Sequence, residues 1–221
     1  MRTIIGVVAL SSLALASVAN AGLAFSFADP IPGRQLSHSS PSGILSYSQT
    51  DAINFLIDGT DEGFGAISFP NARLEINFIL GASSTAGGVT TAPIAGSFTV
   101  YDFSGNVRSD ILTGTASAGS FVRVAGTNSL LFSTPSFFYA PGPSLTALLA
   151  PGRIFADPSE AVFTLTNVTN AAGGTTFINP DGTFTSFDAN ASFTGNTEVI
   201  PAPGAVALLG VGTLVGLRRR R

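Results

Sequence analysis

The chain has 221 residues and a formal net charge of −3, and it contains no cysteine and no lysine. The lack of cysteine excludes disulfide bonds, thiolate catalysis and cysteine metal sites. Between residues 22 and 199 the chain carries five arginines and all thirteen acids, a net charge of −8, so we expect repulsion of phosphate backbones and no nucleic acid partner.

The first 21 residues have the pattern of a secretory signal peptide. Arg2 supplies a positive start, residues 4–16 (IIGVVALSSLALA) form an apolar stretch, and Ala19 and Ala21 make an A-x-A cleavage site. This pattern predicts export by the Sec machinery and cleavage after Ala21.

Residues 22–198 have the texture of an all-β domain. In one typical run, Leu74, Ile76 and Phe78 alternate with polar residues, which indicates a strand with one buried and one wet face. Many such short runs, separated by Gly and Pro turns, predict a single jelly-roll-like β-sandwich. The best helical pattern, residues 144–149, supports only one or two turns.

Two stretches rich in Ser, Gly, Thr or Pro, residues 30–43 and 81–93, predict long loops. His38 is the only histidine and falls in the first stretch, so we expect a solvated side chain. A Ser-His-Asp triad would depend on that one residue.

The sequence DGTDEG contains Asp58, Asp61 and Glu62, together with the glycines Gly59 and Gly63. Hard oxygen ligands on a tight loop suit Ca²⁺, although the spacing does not match an EF-hand. A tentative calcium site and a plain acidic turn are therefore both open, and no other cofactor is expected.

Two further patterns bear on sugar chemistry. Glu75 and Asp102 lie on predicted strands, but alternation places both outward rather than as a glycosidase carboxylate pair. Phe137, Phe138 and Tyr139 could form an aromatic patch for a polysaccharide, with two of the three expected to pack inward.

The C-terminal segment, residues 199–221, has three parts. Pro201, Ala202 and Pro203 come first, then an uncharged apolar run over residues 205–217, and finally four arginines, Arg218, Arg219, Arg220 and Arg221. The apolar run makes about 20 Å of helix, or about 28 Å when counted from Val199, against a hydrocarbon core of about 30 Å. This pattern predicts a short transmembrane helix with the arginines as a cytoplasmic stop-transfer signal.

This three-part ending resembles the PEP-CTERM sorting signal of bacterial surface proteins, in a Pro-Ala-Pro variant with Ala202 where the commonest form has glutamate. The resemblance covers about a tenth of the chain. It implies recognition by an exosortase-type membrane protease, followed by delivery to the cell surface or extracellular matrix. It implies nothing about the activity of the β domain.

Together these patterns predict an exported, non-catalytic protein of the cell surface or extracellular matrix, held by the membrane at least transiently. Two alternatives stay open. One is a secreted module that binds carbohydrate, such as an extracellular polysaccharide, or calcium. The other is a glycoside-active enzyme.

Overall fold

The computed structural model describes residues 21–28, 33–127 and 130–202. Within them the fold is all β, with one large antiparallel sheet of twelve strands. One short helix, α1 (Pro143–Thr146), and two 3-10 turns, Thr60–Glu62 and Ser104–Asn106, complete the described elements. The strands are β1 (Ala21–Ala28), β2 (Leu36–Ser39), β3 (Ile44–Tyr47), β4 (Ile53–Gly59), β5 (Gly65–Leu80), β6 (Ser84–Ala86), β7 (Val89–Asp102), β8 (Ser109–Val124), β9 (Leu130–Pro141), β10 (Arg153–Phe155), β11 (Ser159–Asn170) and β12 (Phe187–Pro201).

The prediction of an all-β domain with little helix is confirmed. Strand β4 shows the physical reason, since its residues alternate between buried and exposed positions along the whole element. Ile53, Phe55 and Ile57 are fully buried, whereas Leu56 and Asp58 face solvent. A period of two residues is what a strand with one core face requires.

The hydrogen-bonded ladders close on themselves. Among the described strands they run in the order β12, β1, β4, β5, β7, β8, β9 and β11, and β11 pairs again with β12. The hairpin of β2 and β3 makes a second connection between β12 and β5, at the other end of those two long strands. The long strands are therefore paired along both edges.

The core is dominated by phenylalanine rings from strands that are not ladder neighbours. Phe78 of β5 lies 4.9 Å from Phe132 of β9, and Phe98 of β7 lies 5.4 Å from Phe163 of β11, measured between ring centroids. Phe98 also lies 5.1 Å from Phe193 of β12. One side of the circuit thus packs its inner face directly against the other side.

The prediction of two long loops was wrong in part. Strand β2 occupies residues 36–39 of the first stretch, and β6 with the start of β7 forms a hairpin inside the second. Ser and Thr side chains of that hairpin face one another across the strands, for example Thr85 and Thr90 at 2.8 Å between hydroxyl oxygens. Such cross-strand hydroxyl pairs stabilise a sheet, so a Ser/Thr-rich composition was a poor indicator of loop here.

The expectation of a solvated His38 was also wrong. The side chain is 4% exposed, and its ring stacks on Phe187 with centroids 4.9 Å apart. Its Nδ1 lies 3.0 Å from the carbonyl oxygen of Thr185. Because a carbonyl only accepts, Nδ1 carries the proton and donates it. Burial lowers the pKa of His38, and the bond to Thr185 opposes that shift only in part.

This burial predicts an acid-sensitive fold. With its folded-state pKa depressed, His38 contributes stability above the unfolded-state value of about 6.5, and that contribution is lost as pH falls through the folded-state pKa. We expect the free energy of unfolding, measured in urea at pH 7 and pH 5, to fall more for the natural protein than for His38→Leu. Equal decreases in the two proteins would contradict this assignment.

Candidate functional site

The two ends of the β domain lie side by side. In the ladder between β1 and β12, Ala21 is directly opposite Val199, and the pairing continues to Ala28 opposite Ser192. Val199 is fully buried. The predicted signal-cleavage position and the start of the predicted sorting segment therefore occur at one end of the sheet.

The sheet extends into the predicted sorting motif. Strand β12 continues to Pro201, which is opposite Arg153 of β10, and Ile200 is opposite Ile154. One residue further, the Ala202 amide donates to the Gly152 carbonyl at 2.6 Å. Residues 199–201, which the sequence pattern groups with the C-terminal segment, are thus part of the β domain.

The other parts of the two targeting signals lie outside the described residues. In the signal peptide these are Arg2, the apolar stretch of residues 4–16 and Ala19. In the C-terminal segment they are Pro203, the apolar run over residues 205–217, and Arg218, Arg219, Arg220 and Arg221. Within residues 21–28, 33–127 and 130–202, no helix has the length and apolar character needed to cross a bilayer. The predicted membrane helix stays a prediction.

The DGTDEG sequence forms the turn between β4 and β5. Asp58 Oδ1 accepts hydrogen bonds from the Thr60 hydroxyl at 2.6 Å and from the Thr60 amide at 3.0 Å. These two bonds hold the pKa of Asp58 below its usual range, and the bond from the hydroxyl has the larger effect. Asp61 and Glu62 follow in the 3-10 turn, and Glu62 Oε1 is buried without a hydrogen-bond partner.

The acidic turn is held by hydrogen bonds between its own residues. One of the three predicted ligands, Asp58, already accepts two hydrogen bonds inside the turn. Across the residues described, no group of three or more His, Cys, Asp or Glu side chains is placed to hold a metal ion. Calcium at Asp58, Asp61 and Glu62 stays a prediction from the sequence alone.

A groove of about 540 Å³ crosses the outer face of the sheet next to this turn. Its lining comes from five strands that follow one another in the circuit, β11, β12, β1, β4 and β5. One cross-strand row is formed by Glu160, Asn196, Ala24, Asp58 and Ala66, and the next row by Val162, Thr194, Ser26 and Leu56. Small residues of β1 make the floor between two acidic sides.

The groove bears on both sugar alternatives. Glu160 and Asp58 are three strands apart, or about 14 Å at the usual strand spacing. Paired glycosidase carboxyl groups lie about 5 to 9.5 Å apart, which is less than the separation of these two strands. Hydroxyl, amide and carboxylate groups line the groove, but its one ring, Phe25, is buried. A carbohydrate ligand would lack a stacking platform here.

The other predicted carboxylates are engaged elsewhere. Arg108 forms an ion pair with Glu75 at 2.9 Å and a second ion pair with Asp110 at 2.8 Å. Asp102 accepts from the Ser104 hydroxyl at 2.8 Å and from the Ser104 amide. Glu75 alternates with the buried Leu74 and Ile76 and lies on the outer face, as predicted. Asp102 is half-buried at the end of β7, opposite the fully buried Ala72, so the outward position predicted for it is not confirmed.

The aromatic triplet before α1 points mostly inward, as expected. Phe137 and Tyr139 are buried, and Phe138 is 43% exposed. The Tyr139 hydroxyl donates to the Glu160 carbonyl at 2.9 Å, and burial raises the pKa of Tyr139 well above its ordinary value. A single exposed ring is a small target for a polysaccharide.

Every arginine of the β domain is engaged by a neighbouring group. Three of them lie over aromatic rings at 4.3 to 4.4 Å, namely Arg73, Arg108 and Arg123. Two others donate to backbone carbonyl oxygens, Arg34 to Asn167 and Arg153 to Val199. With no lysine in the chain, the domain has few cations, and each of these five arginines contacts a group of the domain itself.

Sequence reasoning missed β10, the strand that pairs with the exit from the domain. Its three residues, Arg153–Phe155, follow a Pro-Gly turn and show polar, apolar, apolar character, which is too short for a periodic signal. The paired Phe155 and Val199 are both buried. The strand that pairs with the end of β12 was therefore not predicted, because its segment has the sequence of a turn.

Comparison with protein-family models, with curated proteins and with solved structures gives no match for this chain.

Proposed function

We propose that this chain is an exported, non-catalytic protein of the cell surface or extracellular matrix, sorted through its C-terminal segment. The observation that carries the proposal is the ending itself, in which Pro201, Ala202 and Pro203 precede an apolar run and four terminal arginines. An exosortase-type membrane protease would act near the Pro-Ala-Pro motif. The arginines would hold the short helix in the bilayer until that cleavage.

The register of β1 with β12 supports this arrangement. Ala21 and Val199 are opposite each other, so the chain enters β1 and leaves β12 at the same end of the domain. The predicted signal peptide and membrane helix can then meet one membrane while the β domain lies on its outer side. The acidic, lysine-free domain adds no cationic surface that would draw it to anionic lipid headgroups.

We also propose a finer description of the fold, a flattened jelly-roll-like β-sandwich. Its support is the direct contact between rings of non-neighbouring strands, such as Phe98 with Phe163 and Phe78 with Phe132. Two sheet faces that interdigitate across one thin core give contacts of this kind.

The test is the mass of the surface-associated protein in its native host. We expect a mature chain that begins at Gly22 and lacks the apolar run of residues 205–217. In the double variant Pro201→Ala, Pro203→Ala we expect most molecules to keep the tail through Arg221, because the recognition motif is gone while the apolar helix still inserts.

A matched control comes from the same spacing elsewhere in the chain. The double variant Pro141→Ala, Pro143→Ala alters another Pro-x-Pro sequence of the chain, and we expect its processing to be that of the natural protein. Surface protein that ends at Arg221 in most natural molecules would overturn the sorting proposal and leave a permanent anchor.

A further inference from the structure

The chain leaves the domain along β12, which we call the exit strand. The end of β12, residues 199–201, pairs with β10, and we call this pairing the clamp. Two hydrogen bonds bracket this short ladder. The Ala156 amide donates to the Glu198 carbonyl at 2.8 Å at one end, and the Ala202 amide donates to Gly152 at 2.6 Å at the other. Because hydrogen-bonded pairs alternate in an antiparallel ladder, Ile154 and Ile200 between them form a hydrogen-bonded pair as well.

The clamp reaches the sorting motif itself. Pro201 lies in β12 opposite Arg153, and the Ala202 amide is the last described donor of the ladder. A protease binds its substrate as an extended strand whose backbone groups pair with the enzyme. In the folded domain, the edge of residues 199–202 that faces β10 is already paired, so a protease cannot bind along that edge.

The clamp is also one of the two shortest pairings of the exit strand, each of three residue pairs. β10 has three residues and, of the described strands, pairs only with β12. The Ile154 side chain is 40% exposed, so the middle of the strand has little apolar anchoring. Phe155, at 6% exposed, is its attachment to the core. By contrast, the opposite edge of β12 is held by eight residues of β1. Short, exposed elements open at lower free energy than the core.

We propose that β10 gates proteolytic processing, so that the bonds at Pro201 and Ala202 become accessible only when β10 separates from β12. This gate rests on the proposed sorting function for its biological meaning, but its physical content is a property of the chain alone. The cleavage rate at residues 199–203 then follows the population of the open form when opening and closing are fast.

The test uses the purified full chain in detergent, exposed to a protease of low sequence specificity, with cleavage at residues 199–203 timed by mass spectrometry. Ile154→Pro removes the amide donor at the centre of the ladder at an exposed position. We expect cleavage about ten-fold faster than in the natural chain, as one ladder bond is lost. Ile154→Val keeps the donor and serves as the control, with the natural rate.

A second variant locks the gate. In Ile154→Cys, Ile200→Cys the paired Cα atoms are about 5.5 Å apart, within the span of a disulfide. The chain has no other cysteine. We expect the oxidised protein to resist cleavage at residues 199–203 and the same protein to regain the natural rate in reductant. Equal rates in the natural chain, the Pro variant and the oxidised Cys variant would overturn the gate.

The same variants in the native host separate this proposal from the sorting function. If the natural protein keeps Arg221, the sorting proposal fails, and the detergent experiment still decides the gate. If the natural protein is processed, we expect the oxidised Cys variant to retain its tail. Normal processing of that locked variant would overturn the gate while the sorting function stands.

Discussion

Replacing Phe163 by alanine is expected to lower the free energy of unfolding by about 3 to 5 kcal/mol, the usual cost of removing a buried ring. Phe163 is 2% exposed and lies at the centre of the aromatic core. Its centroid is 4.8 Å from Phe193, 5.4 Å from Phe98 and 5.5 Å from Phe132. Because these rings come from both sides of the circuit, the surrounding structure has little freedom to collapse into the space.

The measurement is urea unfolding followed by circular dichroism. Phe138→Ala is the matched control, since the same chemical change is made on a 43% exposed ring of β9, and we expect a loss under about 1 kcal/mol. Domains of this size have roughly 5 to 15 kcal/mol of stability in all, so the first loss would be a large share. A Phe163 variant no weaker than the Phe138 variant would contradict the packing described.

The substitution Gly96→Ala is expected to cost about 3 to 5 kcal/mol, from backbone strain and overpacking together. Gly96 lies in β7 at a register shift and has φ +141°, a conformation that side chains rarely adopt. A Cβ there would be 2.1 Å from the Asn77 carbonyl oxygen and 2.8 Å from the Phe78 Cα. Both are backbone atoms of β5, which cannot move away like the end of a side chain.

Gly126→Ala separates the two causes. Gly126 also has positive φ, at +82°, but a Cβ there meets nothing within 4 Å. We expect a cost of about 1 to 2 kcal/mol, that of the left-handed conformation alone. The difference between the two variants, again from urea unfolding, measures the close approach of β7 to β5. Equal losses would show that conformation, and not contact, sets the cost at Gly96.

Much of this fold was readable from the sequence because a strand with one buried face imposes a period of two. The alternation of Leu74, Ile76 and Phe78 in β5 is one case, and the inward pair around Phe138 is another. Apolar alternation did not predict strands whose cross-strand neighbours are polar, as in the hairpin that pairs Thr85 with Thr90. It also failed at His38, because its neighbours Phe184 and Phe187 are about 150 residues away in the chain.

The candidate site was predictable only as far as local sequence defines it. The motif at Pro201 is visible because its residue types stand in order along the chain. Its pairing with Arg153 and the proximity of Ala21 depend on ladders that join distant segments, which no local pattern encodes. The groove shows the same limit, since Asp58 and Glu160 share a row through three strand pairings.

The closed circuit of strands has a consequence for crowding. A protein gathered at high density on a surface risks edge-to-edge association, in which exposed strand edges template one another into fibrils. Here the long strands are paired on both sides, and the short β6 (Ser84–Ala86) and β10 (Arg153–Phe155) are the described strands with a single pairing. An edge of three residues is a poor template. The described strand edges of this domain therefore give little opportunity for edge-to-edge association between copies.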